Sequence, residues 1–181
     1  MVYKLDVTLN DELYADFNCF TAVETKTAKR TVIISRIIIN TIFVACLVAI
    51  ALADGFSTFL FIYAVLLASL SVYNTVNMKK NVKKRTIRQL NKIRKTGKVP
   101  YSPTATIEFY EDKLIDISPN SRTEQNYQGL DRICVVKGRF ILLYISNIGA
   151  YIVPEEQAKA QVDLDGFIQF ITQKCSNVEY Y

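Results

Sequence analysis

Apolar residues fill one long stretch of the chain almost without interruption, and Asp54 is the only charged side chain between Ile37 and Met78. Asp54-Gly55 divides this stretch into two pieces, Thr31–Ala53 and Phe56–Val76. A helix rises ~1.5 Å per residue, so about 20 apolar residues suffice to cross the hydrocarbon core of a bilayer. The pattern therefore predicts a transmembrane hairpin over residues 31–78, with two spans joined by a turn at Asp54-Gly55.

Polar residues dominate the N-terminal arm, residues 1–30. Val2–Val7 alternates between apolar and polar side chains, which predicts a short strand. We expect this strand to join the sheet of the C-terminal region, because both lie on the same side of the membrane. Thr8 and Asp11 then resemble a capping box. An amphipathic helix to about Val23 should follow, and it either docks onto the cytosolic domain or lies on the inner leaflet. The apolar face of this helix is Leu13, Phe17 and Phe20.

The C-terminal region, residues 99–181, changes to short alternating segments separated by turn residues. A helix closes it, because Asp163 is a good N-cap and apolar residues recur at helical spacing from Leu164 to Ile171. We predict an α+β cytosolic domain, in which a bent antiparallel sheet of about six or seven strands is capped by this C-terminal helix. The predicted strands of this region are Thr106–Tyr110, Lys113–Ser118, Thr123–Tyr127, Arg132–Val136, Phe140–Ile145 and Ala150–Val153.

A dense basic segment, residues 79–98, separates the hairpin from this domain. It carries ten basic side chains and no acidic one, whereas residues 1–78 have a net charge of −1 and residues 99–181 one of −4. We predict a juxtamembrane helix that continues the second span. Anionic lipid attracts such a helix by about 1 kcal/mol per basic side chain near the surface. The predicted lipid contacts are Lys79, Lys80, Lys83, Lys84, Arg85, Arg88, Lys92, Arg94, Lys95 and Lys98.

Two other interpretations of this basic segment remain open. A nucleic-acid site is disfavoured, because no aromatic residue is interleaved among the basic ones to stack on bases. A docking site for a partner protein is the remaining alternative. The membrane interpretation already accounts for the charge, since cytoplasmic flanks of spans are enriched in Lys and Arg.

The flanks of the two spans also predict the orientation. Lys26, Lys29, Arg30 and Arg36 flank the first span, and the basic segment flanks the second, so both termini are predicted to be cytoplasmic. A signal peptide cleaved after Ala51-Leu52-Ala53 is the alternative. About thirty largely polar residues before an unusually long apolar run argue against it.

Several residues within the spans are candidates for packing or function. Arg36 either snorkels to the headgroups or acts as an intramembrane charge. Asn40 lies one turn deeper on the same face, so both side chains can bond across the hairpin. Small residues at every fourth position favour close packing of two helices, although alanine is also common in spans generally. These small residues are Ala45, Ala49 and Ala53 on the first helix and Ala64 and Ala68 on the second.

The sequence offers little catalytic chemistry. The chain has no histidine, which removes Ser-His and Cys-His nucleophile pairs and every metal site that needs imidazole. Four cysteines without CxxC spacing argue against a disulfide framework and fit a reducing compartment. Asp163-x-Asp165-Gly166 lacks the remaining ligands of a calcium loop and is explained by capping of a helix. We predict no enzymatic activity, no metal and no cofactor.

Segments of the C-terminal region resemble a known family. They are ATIEFYEDKL at 105–114, NYQGLDRI at 126–133 and Phe140–Pro154, and Tyr3–Phe20 adds to them. Together with the order of elements, they resemble the YcxB-like family of small bacterial membrane proteins. The resemblance implies a cytosolic domain of pleckstrin-homology-like (PH-like) shape on a two-helix anchor in the bacterial cell membrane. It brings no established activity, ligand or catalytic residue.

These observations favour a membrane-anchored binding or scaffold protein, with membrane lipid and another membrane or cytosolic protein as its partners. The sequence does not name the ligand, and it leaves the oligomeric state open. An oligomeric transport or accessory component is an alternative that rests on Arg36 and Asn40. An immunity or regulatory protein for a membrane-active partner is a third, because the small size and the hairpin suit that role.

Overall fold

The structure, a computed structural model, describes residues 1–54, 58–97, 99–147 and 149–181. The chain divides into two compact units. The first combines Met1–Tyr14 with Ile93–Tyr181 and is called the α/β unit below. The second, Ala15–Lys92, is called the helical unit. The protein is thus of the mixed α+β class, as the sequence predicted.

Two four-stranded sheets make up the α/β unit. Within the described residues its strands are β1 (Tyr3–Thr8), β2 (Thr104–Phe109), β3 (Lys113–Ser118), β4 (Ser121–Asn126), β5 (Arg132–Val136), β6 (Phe140–Tyr144), β7 (Ala150–Pro154) and β8 (Val178–Tyr180). The first sheet has the order β1-β2-β3-β4, and all its neighbouring strands are antiparallel. The second has the order β7-β6-β5-β8, in which only β8 runs parallel to its neighbour β5.

The N-terminal strand is part of the first sheet, which confirms that prediction. β1 pairs with β2 along its whole length, from Tyr3 opposite Phe109 to Thr8 opposite Thr104. Alternation along β1 places Leu5 and Val7 on its buried face. Residues on either side of the long apolar stretch therefore build one sheet.

A single hydrophobic cluster joins the two sheets to two helices, α5 (Glu155–Lys159) and α6 (Leu164–Thr172). The ring of Phe167 on α6 packs edge-on against Tyr3 at 5.4 Å and Phe109 at 4.9 Å between centroids. Asp163 caps this helix as predicted, since its carboxylate accepts a hydrogen bond from the backbone N–H of Gly166 at 3.2 Å. The C-terminal helix thus closes the core next to β1 and β2.

The prediction of one bent sheet of six or seven strands was wrong, because the strands form two sheets of four. The ladder ends after β4 at a 3₁₀ turn, Tyr127–Gly129, whose Tyr127 is buried and donates its hydroxyl hydrogen to the carbonyl of Tyr110 at 2.9 Å. β8 was missed because its three residues are too short to show a period.

The first helix, α1 (Asp11–Cys19), begins with a different cap from the predicted one. Asn10, rather than Thr8, accepts a hydrogen bond from the backbone N–H of Leu13 at 2.8 Å. Thr8 is unavailable for that role because it is the last residue of β1. Asn is among the most favourable N-cap residues, so the local sequence supplied an equally good alternative.

The outer edge of β1 is closed by side chains instead of a further strand. The amide of Gln161 accepts from the backbone N–H of Asp6 and donates to its carbonyl, both at 2.8 Å. Gln157 makes the same two bonds with Thr8, also at 2.8 Å. Exposed sheet edges invite pairing with other chains, and this one is blocked by Gln157 of α5 and by Gln161, which follows α5 in the chain.

We expect replacement of both glutamines by alanine to lower the free energy of unfolding by about 1 kcal/mol for each residue, because each removes two hydrogen bonds to backbone groups that water can partly replace. Urea denaturation of the full chain in detergent micelles, followed by circular dichroism, measures the loss. Gln128→Ala is the matched control, since Gln128 is exposed. Equal stability of the double variant and the control would show that the edge bonds contribute nothing.

Among its described residues, the helical unit has contributions from four helices and one π-helical turn. After α1 come the π-helical turn (Phe20–Glu24), α2 (Lys26–Asp54), α3 (Thr58–Val76) and α4 (Met78–Arg94). Phe17 and Phe20 of the predicted apolar face are buried. The sequence predicted a regular helix to about Val23. In the structure the last part of this segment is the π-helical turn, in which each backbone hydrogen bond spans one residue more than in an α-helix.

Candidate functional site

One helix among the described residues is long and apolar enough to cross a membrane. It is the Lys26–Leu52 part of α2, and no residue of its apolar window is buried within the chain. Ile37 and Leu52, for example, expose 61% and 83% of their surface. A second candidate arises only if Phe61–Val76 and Met78–Arg94 are counted together as one bent span. Length and composition thus support association with a membrane.

The basic helix α4 forms as predicted but does not continue α3 in a straight line. The axes of Phe61–Val76 and Met78–Arg94 differ in direction by 67°. Asn77 lies at the bend, where its backbone N–H still bonds to Tyr73 and its carbonyl accepts from Asn81. Backbone hydrogen bonds of helical spacing therefore continue through the bend between α3 and α4.

Acidic residues of the N-terminal arm neutralise part of the basic helix. Within the helical unit, Lys79 lies 3.4 Å from the carboxylate of Glu24, and Lys83 pairs with Asp16. The thiol of Cys19 also points at the carbonyl of Lys79, at 3.7 Å. The N-terminal arm therefore docks onto α4 within this unit. The sequence predicted that its helix docks onto the cytosolic domain or lies on the inner leaflet, and α4 was not named as its partner.

Four further basic residues of α4 lie on another side of this helix. Lys80, Lys84, Arg88 and Lys92 follow one another at intervals of four, so they form one stripe along the helix. All four are exposed, and none has a carboxylate partner within the part of the chain that the structure describes. We call these four residues the basic stripe.

A groove of about 570 Å³ lies between α2, α3 and the start of α4. Two cationic side chains line it, Arg36 from α2 and Arg85 from α4, and no Asp or Glu does so among the described residues. The guanidinium of Arg36 donates to the thioether of Met78 at 3.5 Å, which is a weak acceptor. The groove thus combines two positive charges with largely apolar walls.

The sequence-predicted residues of the spans fall at different places. Arg36 and Asn40 both line the groove, so the structure brings them together as expected from their shared face. Ala45, Ala49 and Ala68 are exposed and Ala64 is half-buried, and their role in helix packing stays a prediction. The side chain of Ala53 lies outside the described residues, as do Gly55 of the predicted turn and Lys98 of the basic segment.

Asp11 ties three segments of the α/β unit together. Its Oδ1 accepts from the Tyr101 hydroxyl at 2.6 Å and from Arg94 at 2.7 Å. The Tyr101 ring stacks on Tyr14 with 4.8 Å between centroids. The bond from Tyr101, and then Arg94, holds the pKa of Asp11 below its usual value of 3.8, while burial and Asp11 raise the pKa of Tyr101 to about 12. At neutral pH the carboxylate therefore accepts two hydrogen bonds.

We expect the Asp11→Asn variant to be less stable than the wild type at neutral pH and to show a flatter dependence of stability on pH. A carboxyl group whose pKa is lower in the folded state stabilises the fold above its unfolded pKa, and this contribution is lost as the pH falls below 3.8. Denaturation midpoints between pH 7 and pH 3 measure it. Asp112→Asn is the control, since Asp112 is exposed and lies outside the helices. Parallel curves for the wild type and Asp11→Asn would contradict the assignment.

A second carboxylate, Asp116 on β3, lacks a hydrogen bond at its buried Oδ1 within the described residues. Burial raises its pKa, and burial together with Asp116 raises the pKa of Tyr151.

Cys134 is also buried, which raises the pKa of its thiol to about 12, and Glu179 adds to the effect. A thiol that stays protonated is a poor nucleophile, so Cys134 belongs to the interior packing of the unit.

Sequence reasoning missed the residues that define these contacts. From the sequence, Arg85 was one of the ten predicted lipid contacts. In the structure it lies one turn after Asn81, near the start of α4, and lines the groove. Asp16 and Glu24 are eight residues apart, two helical turns, and this spacing was the available signal for pairing with a basic helix.

No family model matches the chain, and neither the curated proteins nor the solved structures gave a match to it. The resemblance to the YcxB-like family therefore stays a prediction. The function has to be argued from the geometry of this chain.

Proposed function

We propose that this protein is a membrane-anchored binding or scaffold protein. In this proposal α2 and α3 are the two spans of a hairpin in a bacterial cell membrane, both termini are cytoplasmic, and the α/β unit is a recognition module of PH-like type. The order of elements and the closing helix α6 on a core shared by two sheets support the relation to the YcxB-like family. No enzymatic activity is part of the proposal.

The pairing of β1 with β2 is the observation that carries it. These strands lie in one sheet, although α2 and α3 lie between them in the sequence. A sheet cannot form across a bilayer, so the number of spans between Thr8 and Thr104 has to be even. Because α2 is long and apolar enough to span, α3 has to return the chain to the same side. The even number of spans thus supports the hairpin, whereas composition alone leaves the number of spans open.

The bend before α4 supports a position at the membrane surface. If α3 follows the membrane normal, a change of direction of 67° brings α4 closer to the membrane plane than to the normal. Helices in this position use basic side chains to contact anionic headgroups. The basic stripe is the part of α4 in the helical unit that supports such contacts, whereas Lys79 and Lys83 already have acidic partners.

The two edges of the first sheet support recognition of a peptide strand by β4. Gln157 and Gln161 close the edge at β1. β4 is exposed except at the half-buried Gln125, and no further strand pairs with its outer edge in the described residues. An extended peptide binds to such an edge through backbone hydrogen bonds, and its side chains provide specificity. We infer that the partner presents a polar strand, because β4 itself is polar.

Site-specific photocrosslinking of the full chain in its native membrane tests this function. A photoreactive amino acid replaces Thr123 on β4 and, in the matched control, Lys4 on the closed edge at β1; both residues are exposed. We expect Thr123 to capture a defined protein that Lys4 does not capture. Crosslinks to the same abundant proteins from both positions would refute recognition at β4. Release of the chain from membranes by alkaline carbonate would refute the anchor.

A further inference from the structure

The groove between α2, α3 and α4 changes in character along its length. On α2 its lining runs from Thr31 to Phe43, and on α3 from Leu67 to Thr75 and on to Met78. Arg36 contacts Met78, so the first part of α2 lies beside the end of α3, and Phe43 lies towards Leu67. The cationic end therefore coincides with the end of the hairpin from which both chain termini emerge.

The other end of the groove is apolar. Ile39, Phe43, Leu67 and Leu70 line it, and the lining there includes no charged side chain. The distance along α2 from Thr31 to Phe43 is about 18 Å at ~1.5 Å per residue. This length suits one acyl chain in one leaflet, whose half of the hydrocarbon core is about 15 Å thick.

Several polar side chains along the groove lack a strong hydrogen-bond partner among the described residues. Asn40, Asn74 and Asn81 line the groove and form no side-chain hydrogen bond within the described residues. Arg36 has only the thioether of Met78 as an acceptor among them. Unsatisfied polar groups are costly at membrane depth, and a ligand that accepts hydrogen bonds and carries negative charge would satisfy these donors.

We propose that this groove binds one anionic phospholipid, with its phosphate at Arg36 and Arg85 and one acyl chain along Phe43, Leu67 and Leu70. Charge complementarity selects the occupant, since the groove offers two guanidinium groups and no carboxylate. Guanidinium groups bind phosphate through two parallel hydrogen bonds. A lipid at this place bridges all three helices. The inference rests on the proposed membrane anchor and assigns a specific ligand to it.

Native mass spectrometry of the full chain, purified in a mild detergent, tests the site with dioleoyl phosphatidylglycerol as the probe and dioleoyl phosphatidylcholine as the neutral comparison. We expect the wild type to retain one phosphatidylglycerol. The Arg36→Gln/Arg85→Gln variant should retain less phosphatidylglycerol by a factor of roughly ten or more, because the charged hydrogen bonds to the phosphate are lost. Lys84→Gln/Arg88→Gln removes the same charge from the basic stripe, outside the groove lining, and should retain the lipid.

A second variant keeps both charges. Ser71→Phe narrows the groove with a large side chain, and we expect it to exclude the lipid as well. Soluble glycerol phosphate should not displace the lipid, because it lacks the acyl chain that the apolar end holds. Equal loss in the two double variants, equal retention of phosphatidylcholine, or displacement by glycerol phosphate would each overturn the proposal.

The membrane anchor is tested separately, by alkaline-carbonate extraction of the same variants. Chains that stay in the membrane but retain no phosphatidylglycerol would refute the lipid site alone. Chains that leave the membrane would refute the anchor, and with it the lipid site. The two failures are therefore distinguishable in one set of samples.

Discussion

Replacing Leu5 by alanine is expected to lower the free energy of unfolding of the α/β unit by about 3 kcal/mol. Leu5 is completely buried, and it belongs to the cluster that joins both sheets to α6. It lies opposite Ile107 on β2, roughly 100 residues away in the sequence. A cavity at this place removes contacts within a core that few other residues of the N-terminal arm reach.

Urea denaturation of the full chain in detergent micelles, read from the near-ultraviolet signal of the tyrosines, measures this loss. Val2→Ala is the matched control, because Val2 precedes the strand and its side chain is 43% exposed. The control should change stability by less than about 0.5 kcal/mol. If Leu5→Ala and Val2→Ala unfold at the same urea concentration, β1 does not belong to the cooperative core.

The second large effect concerns the membrane. Replacing Val44 by arginine is expected to disfavour insertion of α2 by about 2.5 to 3.5 kcal/mol, the range found for a charged residue at the centre of a span. Val44 lies in the middle of the apolar part of α2 and exposes 59% of its surface. The equilibrium constant for insertion should therefore fall by roughly a hundredfold relative to the wild type, and a smaller share of the protein should resist alkaline carbonate.

Arginine introduced at the start of α2 is the matched control, because it adds the same charge at a different depth in the membrane. Thr27→Arg adds a positive charge in the first turn of α2, where basic flanking residues are already present. Charges near the end of a span reach the headgroups, so this variant should stay in the membrane. Equal behaviour of Val44→Arg and Thr27→Arg would contradict the transmembrane assignment of α2.

Elements with a long, regular pattern could be predicted from the sequence. The α2 and α3 regions follow from apolar length, and α6 follows from its period and from Asp163 at its start. The pairing of β1 with the C-terminal sheet was also predicted, from the strand period of Val2–Val7 and from the expectation that flanks of like charge put both segments on one side. In each case the signal extends over many residues, which favours one secondary structure over the others.

The division into two sheets and the groove could not be predicted, because they depend on three-dimensional contacts between short segments. β8 is recognisable only beside β5, and the role of Tyr127 appears only when its hydroxyl reaches Tyr110. Arg85 is one of ten similar basic residues in the sequence. What distinguishes it from its neighbours is its place on the groove beyond the bend after α3, where Arg36 is the other cationic lining residue.

The composition of the first sheet has a consequence for the order of events during synthesis. β1 is made first, but its partner β2 emerges roughly 100 residues later, which corresponds to about 5 to 20 s at the usual rate of translation. In the proposed hairpin, both apolar helices are placed in the membrane during this interval. In that topology the sheet is completed only after the chain has returned to its original side, so a folded α/β unit would itself be a sign of correct insertion.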